Sequence, residues 1–131
     1  NISSKFKGNQ SNIIFSGLIS SPQDFLAVSD VLCLPSYREG FGNVVIEAAA
    51  TGVPSIVSNI YGLSDAIVLN KTGLAHEPHD VQEITKLMKS LFNNRKLVMD
   101  LGKAAKKRAI SEFDSKILVK HWKIFYNHNL T

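Results

Sequence analysis

Two glutamates, Glu39 and Glu47, stand eight positions apart in the stretch PSYREGFGNVVIEAAATGVP (35–54), around a glycine-containing turn and the start of an apolar helix pattern. Backbone N–H groups at a helix start have no carbonyl partner within the helix and lie at the positive end of its dipole. Those of Gly42, Asn43 and Val44 therefore form a natural seat for a phosphate. Gly40 and Gly42 allow positive φ and a close approach of backbone to ligand. Glu47 follows Asn43 by four residues, on the same face and one turn below. Val44, Val45, Ile46, Ala48, Ala49 and Ala50 surround it, so the helix reads as buried nearly all round. A buried carboxylate has to accept hydrogen bonds. The vicinal hydroxyls of a ribose would supply them, and Glu39 would reach a second polyol on the far side of the phosphates. Hydroxyls, then phosphates, then hydroxyls is the outline of a nucleotide-sugar. The alternative is that Glu47 pairs with a buried Arg or Lys and the glycines only shape a turn.

Such a site needs a strand to deliver the loop and a helix to receive it. VLCLPS (31–36) is a continuous apolar run, as expected of a strand covered on both sheet faces. Residues 43–51 read as the helix, with Gly52 as its C′ residue and Pro54 preventing continuation. Upstream, NIIFSGLIS (12–20) reads as a strand and SPQDFLAVSD (21–30) as a short helix with Phe25, Leu26 and Val28 inward. Downstream, PSIVSN (54–59) is a further strand, and IYGLSDAI a loop with one helical turn. IVLN and GLAHEP read as short strands around the turn NKTG. Asp80 opens a helix, with Glu83 three residues on completing a capping-box pattern and Ile84, Leu87, Met88 and Leu91 at helical spacing. NNRKLVMDLGKAAKKRAISEF is another helix. A last one starts at Asp114 or Ser115, with Leu118, Trp122 and Phe125 on one face. Strands alternating with helices predict an α/β fold, a Rossmann-like parallel sheet flanked by helices.

The bulk properties fit one soluble globular domain of 131 residues, 44% hydrophobic and 20% charged. The lone Cys33 excludes an intrachain disulfide and reads as a small buried hydrophobe, and a reducing cytoplasm fits. No signal peptide and no apolar run of bilayer length is present. The net charge of +4 is uneven: residues 95–131 hold nine Lys/Arg against three Asp/Glu, residues 1–94 six against eight. The basic end reads as the solvated face of amphipathic helices. A nucleic-acid module is the competing class, but no interleaved aromatics suited to stacking bases accompany it. His76, His79, His121 and His128 show no metal-site spacing and read as surface or structural residues.

The run from Glu39 to Glu47, EGFGNVVIE, preceded by PSYR and followed by AAATGVP, resembles the E-x7-E signature of retaining GT-B glycosyltransferases of the glycosyl transferases group 1 class (family GT4). The neighbours resemble that class too. IIFSGLIS is similar to the strand and loop whose backbone packs on the donor's base, with Leu18 and Ile19 at the matching positions. SDVLCLPS is similar to the strand entering the motif. SNIYGLSDAIVLNKTGLAHEPHD is similar to the class's strand, glycine-containing loop, acidic residue (here Asp65, where Glu is common) and TGL. The resemblance spans residues 12 to 126.

It implies that Glu39 contacts the hydroxyls of the transferred sugar, which makes it the candidate catalytic residue. It implies that Glu47 holds the ribose, and that the loop Gly40–Phe41–Gly42 with the amides of Gly42, Asn43 and Val44 meets the diphosphate or sugar. The implied reaction moves a glycosyl unit from a nucleotide-sugar, a UDP-sugar by the form of the PSYREGFGNVVIEAA variant, to an acceptor hydroxyl with retention. No metal or other cofactor is needed, the amides stabilising the departing diphosphate. The implied setting is bacterial surface polysaccharide synthesis (capsule, O-antigen or exopolysaccharide) in the cytoplasm.

Measured against the class, residues 1–131 amount to a single, partial C-terminal donor-binding domain. The acceptor-binding N-terminal domain is absent, as is the opening of the donor half with its diphosphate-gripping Arg and Lys. Arg38 does not match those positions. The chain alone is expected to bind nucleotide weakly and to catalyse nothing, its glycan or lipid-linked acceptor being met elsewhere. Leu118, Trp122 and Phe125 are expected to be partly uncovered, predicting self-association or an exposed apolar patch. The basic last helices are a candidate contact with anionic lipid at the inner face of the membrane. Two readings compete with transfer: a GT-B-like UDP-sugar 2-epimerase and a non-enzymatic nucleotide-sugar binder.

Overall fold

The computed structural model describes residues 12–129. Six helices and three strands follow one another as α1 (Pro22–Ala27), β1 (Leu32–Leu34), α2 (Asn43–Thr51), β2 (Ser55–Ser58), α3 (Leu63–Ala66), β3 (Gly73–His76), α4 (Val81–Asn93), α5 (Arg95–Glu112) and α6 (Ser115–Asn129). The strands form one parallel sheet in the order β1-β2-β3, with Leu32 opposite Ser55 and Ser55 opposite Gly73. Parallel strands need crossover connections, and α2 and α3 provide them.

Alternation along the strands divides the core between two faces. Val57, with Leu32 and Leu34, packs under Val45 of α2 and Leu63 and Ala66 of α3. Ile56, Leu74 and Cys33 point the other way, to Leu91 of α4 and Val98 and Leu101 of α5. The far half of α5 turns toward α2, where Ala105 and Ala109 meet Ala49. Small residues at that seam let the two helix backbones approach closely. Helix starts and ends follow their caps. Asp80 accepts the Glu83 N–H at 2.8 Å, Asn94 accepts that of Leu97 at 3.0 Å, and Gly52 closes α2 in the left-handed region at φ 88°.

Four expectations are corrected. Residues 12–20 form no strand and lie outside the sheet, with Ile14 and Leu18 exposed. A strand holds its place through a ladder partner, and the described residues give this segment none. For the same reason β1 is half-buried rather than covered on both faces, since its outer edge has no neighbour among the described residues. IVLN contributes only a single bridge, Leu69 to Gly73. Its backbone is taken up by the turn it enters, where Lys71 and Thr72 donate to the Val68 carbonyl and Val68 N–H donates to Thr72 Oγ1 at 2.7 Å. In α1 only Leu26 is buried, against Ala48 and Val53, while Phe25 and Val28 face solvent. A six-residue helix resting on one neighbour covers a single stripe.

Candidate functional site

The loop between β1 and α2 lies at the carboxyl end of the sheet, where ligands of open parallel sheets bind. It is held on several sides. Ser36 Oγ donates to Glu39 Oε1 at 2.7 Å, fixing a half-buried carboxylate at the mouth of the loop. The Tyr37 ring stacks on His79, centroids 4.4 Å apart. The Phe41 ring meets Phe113, beyond the end of α5, at 5.6 Å. Gly42 is the N-terminal cap of α2 at φ 69°, and a Cβ there would overlap the Leu63 side chain. From the other side Gly62, at φ 89°, presses so close that a Cβ would overlap the Gly40 carbonyl and stand 2.7 Å from that of Glu39. Only glycine satisfies both the angle and the contact. Gly40 is exposed and does not have the positive φ expected of it; Gly42 alone makes the left-handed turn.

Helix α2 begins at the expected residue, Asn43, and Val45 N–H closes the first turn on the Gly42 carbonyl at 2.8 Å. The amides of Asn43 and Val44 sit where no helical carbonyl precedes them. The burial of Glu47 is corrected. Val45, Ala48 and Ala49 are buried, but Asn43, Glu47 and Ala50 are exposed. Those three follow at intervals of four and three residues, a solvent-facing stripe. The apolar residues around Glu47, Val45, Ala48 and Ala49 among them, fill the core-facing side of α2, and Ala50 lies on the open side with Glu47. Glu47 therefore needs no internal partner, and among the described residues no buried Arg or Lys pairs with it.

Glu39, Gly40, Gly42, Asn43 and Glu47 thus come together on the loop and the open stripe of α2, with Phe41 tucked beneath and Val44 half-buried. Leu18 and Ile19 are not gathered into that cluster. Leu18 is fully exposed and Ile19 half-exposed, on the segment leading into α1. Sequence reasoning passed over Gly62, Leu63, His79 and Phe113 as parts of this neighbourhood. Gly62 carried a signal, a glycine between Tyr61 and an apolar residue in a short loop; the others carried none that spacing reveals. His76, buried, bonds the Glu77 carbonyl through Nδ1 at 2.8 Å and faces Ser58 Oγ, a structural role. A groove of about 480 Å³ between β1, α4 and α5 lies across the sheet from α2 and carries Cys33, Met88 and Phe92 rather than any of these residues.

Comparison with known proteins gives this geometry its context. Over 116 residues the chain is 34% identical to the capsular polysaccharide biosynthesis glycosyltransferase CapM of Staphylococcus aureus, covering 88% of this chain and 30% of CapM. Its structure matches that of a glycosyltransferase from Rickettsia africae with a TM-score of 0.82 at 26% identity, over 90% of this chain and 32% of that one. A variant of S. aureus TarM, in complex with Fondaparinux, alpha-GlcNAc-glycerol and UDP, matches with a TM-score of 0.79 at 28% identity, over 87% of this chain and 23% of TarM. The chain spans under a third of the length of each. Its parallel sheet flanked by helices is that of GT-B glycosyltransferases. Residues 3–108 match the family described as glycosyl transferases group 1, and the chain belongs to that family.

Proposed function

We propose that this chain forms the donor-binding part of a retaining glycosyltransferase that uses a UDP-sugar and serves the assembly of a bacterial surface polysaccharide. The observation that carries the reading is the juxtaposition of the Ser36-held Glu39, the left-handed Gly42 cap and the exposed Glu47 one turn into α2. Exposure keeps the Glu47 carboxylate accessible to a ligand. The diphosphate would take the amides of Gly42, Asn43 and Val44, where the helix dipole favours negative charge. Glu39 would accept from hydroxyls of the transferred sugar and Glu47 from those of the ribose, with Leu18 and Ile19 against the base. As the bond from the sugar to the diphosphate breaks, negative charge grows on the leaving oxygens, and fixed amides stabilise it. In the intact protein, chelator is expected to leave transfer unaffected. The names of the relatives speak for transfer over epimerisation, and consumption of an acceptor by the full protein separates the two. The isolated chain is expected to bind donor without transferring it.

The test is an NMR titration of the ¹⁵N-labelled chain with UDP, GDP and ADP, repeated on Glu47→Ala. Shifts at residues 40–47 and at Leu18 and Ile19, strongest with UDP and lost in the variant, are expected. No shifts with millimolar nucleotide, in this chain or in its full-length parent, would defeat the reading.

A second observation bears on location. Among the described residues no helix is long and apolar enough to cross a membrane. On α6, however, Leu118, Trp122, Ile124, Phe125 and Tyr126 are all exposed, and Lys116, Lys120 and Lys123 share a separate arc with no acidic residue in the helix. That pattern suits an anionic lipid surface. Trp122 is the chain's single tryptophan. Its emission is expected to shift to the blue with anionic vesicles and not with neutral ones. A shift that follows protein concentration without vesicles would mean self-association instead.

A further inference from the structure

We propose that Arg108 and Phe113 are positioning residues that set the place of the 39–42 loop. Arg108 lies near the end of α5, its side chain only 18% exposed. Nη1 donates to the Ala66 carbonyl at 2.9 Å and Nη2 to the Asp65 carbonyl at 3.0 Å. These are carbonyls of the last turn of α3, which have no helical donor of their own. Nε donates to Glu112 at 2.8 Å, which keeps the fork in its plane. The guanidinium also sits over the Phe113 ring, 5.1 Å from its centroid.

Two arms leave this residue and converge on one loop. The first runs through α3, gripped at its end, to Gly62 and Leu63 at its start. There Gly62 abuts the carbonyls of Glu39 and Gly40, and Leu63 fills the space beside Gly42. The second runs through Phe113 to Phe41. Every loop residue from Glu39 to Gly42 is therefore met by one arm or the other. The packing of α5 on α2 depends on other residues, Ala105 and Ala109. Arg108 is thus not needed to join the two helices, and its donors go to α3 and Glu112. The guanidinium's planar fork reaches two adjacent carbonyls together, which a lysine ammonium does not.

The importance of this strut for ligand binding rests on the loop being the donor site; its importance for loop order does not, and the experiment separates them. Amide order parameters are measured on the ¹⁵N-labelled chain and on Phe113→Leu, Phe113→Tyr and Arg108→Lys, followed by titration with UDP. In the unsubstituted chain residues 39–43 are expected near ~0.85, falling below ~0.6 in Phe113→Leu and Arg108→Lys. Ile56 and Val57 of β2 keep their values, and Phe113→Tyr, which retains the ring, restores the loop. UDP affinity falls about tenfold in Phe113→Leu, a change of about 1.4 kcal/mol. A loop as ordered in Phe113→Leu as in the parent would overturn the proposal. So would a loosening shared equally by β2, or loss of the fold in that apolar variant, since the role would then be one of general stability. If UDP shifts nothing even in the parent, the donor reading fails and the order parameters still decide the strut.

Discussion

The two regions proposed to meet the donor differ in how they are held. The 39–42 loop is fixed by contacts that run through the middle of the chain: Ser36 on Glu39, His79 on Tyr37, Gly62 and Leu63 beneath the backbone, Phe113 on Phe41. Leu18 and Ile19 sit on a segment that joins no strand and shows its apolar side chains to solvent. Both regions have apolar residues of strand or core type. What separates them is that the described residues pack around the 39–42 loop on several sides and give the 12–20 segment no strand to pair with. A loop over the end of a formed sheet is positioned before any ligand arrives. A segment with no ladder partner among the described residues relies on fewer backbone contacts, and any ordering that binding requires of it would subtract from affinity.

Breaking the held region is expected to give the largest effect. Gly62→Ala places a methyl into the Gly40 and Glu39 carbonyls at a φ of 89°. Strain and overlap together are expected to cost about 2–3 kcal/mol. Thermal melting is expected to show a midpoint lower by roughly 10 °C in a chain of this size. The variant that remains folded below its midpoint should bind UDP more than about tenfold more weakly, because the loop has been pushed aside. Unchanged binding would mean that loop position is irrelevant to the ligand.

Removing chemistry without touching packing gives the next effect. Glu47 is exposed, so Glu47→Ala should leave stability within about 0.5 kcal/mol while abolishing the UDP shifts. A buried structural carboxylate would show the opposite pattern, loss of stability first. On the loosely held side, Leu18→Ala should leave melting unchanged. It should weaken UDP binding by about threefold, the worth of a partly covered aliphatic side chain. An effect of Leu18→Ala as large as that of Glu47→Ala, read in the same titration, would erase the distinction between the two regions.

The sequence showed most clearly the parts whose causes are local. Helix α2 begins at Asn43 and ends before Gly52, because a left-handed glycine stands at each end. Asp80 and Asn94 cap α4 and α5 through side-chain oxygens, and Asp80 was legible as such from its spacing to Glu83. Assignments that depended on distant partners went astray. NIIFSGLIS has strand composition, but composition cannot supply a neighbouring strand. The apolar neighbours of Glu47 suggest burial, yet they face the core while the helix phase turns Asn43, Glu47 and Ala50 outward. The strut from Arg108 joins residues more than forty positions apart, 108 to 65 and 66, which no local pattern encodes.

The smallest effect concerns Cys33, on the open-edged strand β1. Its side chain borders the groove with Met88, Leu91, Phe92 and Val98, and partial burial there pushes the thiol pKa above its ordinary 9.0. Burial disfavours the thiolate, so in the unfolded chain the thiol ionises first as pH rises. The folded state then holds the extra proton, and stability declines with pH in that window. Below pH 9 the contribution is fully present; it is lost as pH rises from there through the folded value. Urea midpoints taken from pH 7 to pH 10 should fall at the upper end for the parent chain, with a shallower fall in Cys33→Ala. Alkylation of the thiol near neutral pH should be slow for the same reason. The groove lies across the sheet from α2, so UDP is expected to leave that alkylation rate unchanged. A rate that drops when UDP binds would show that ordering Leu18 and Ile19 also covers the β1 edge. The held and unheld regions would then be parts of one closing unit rather than two independent ones.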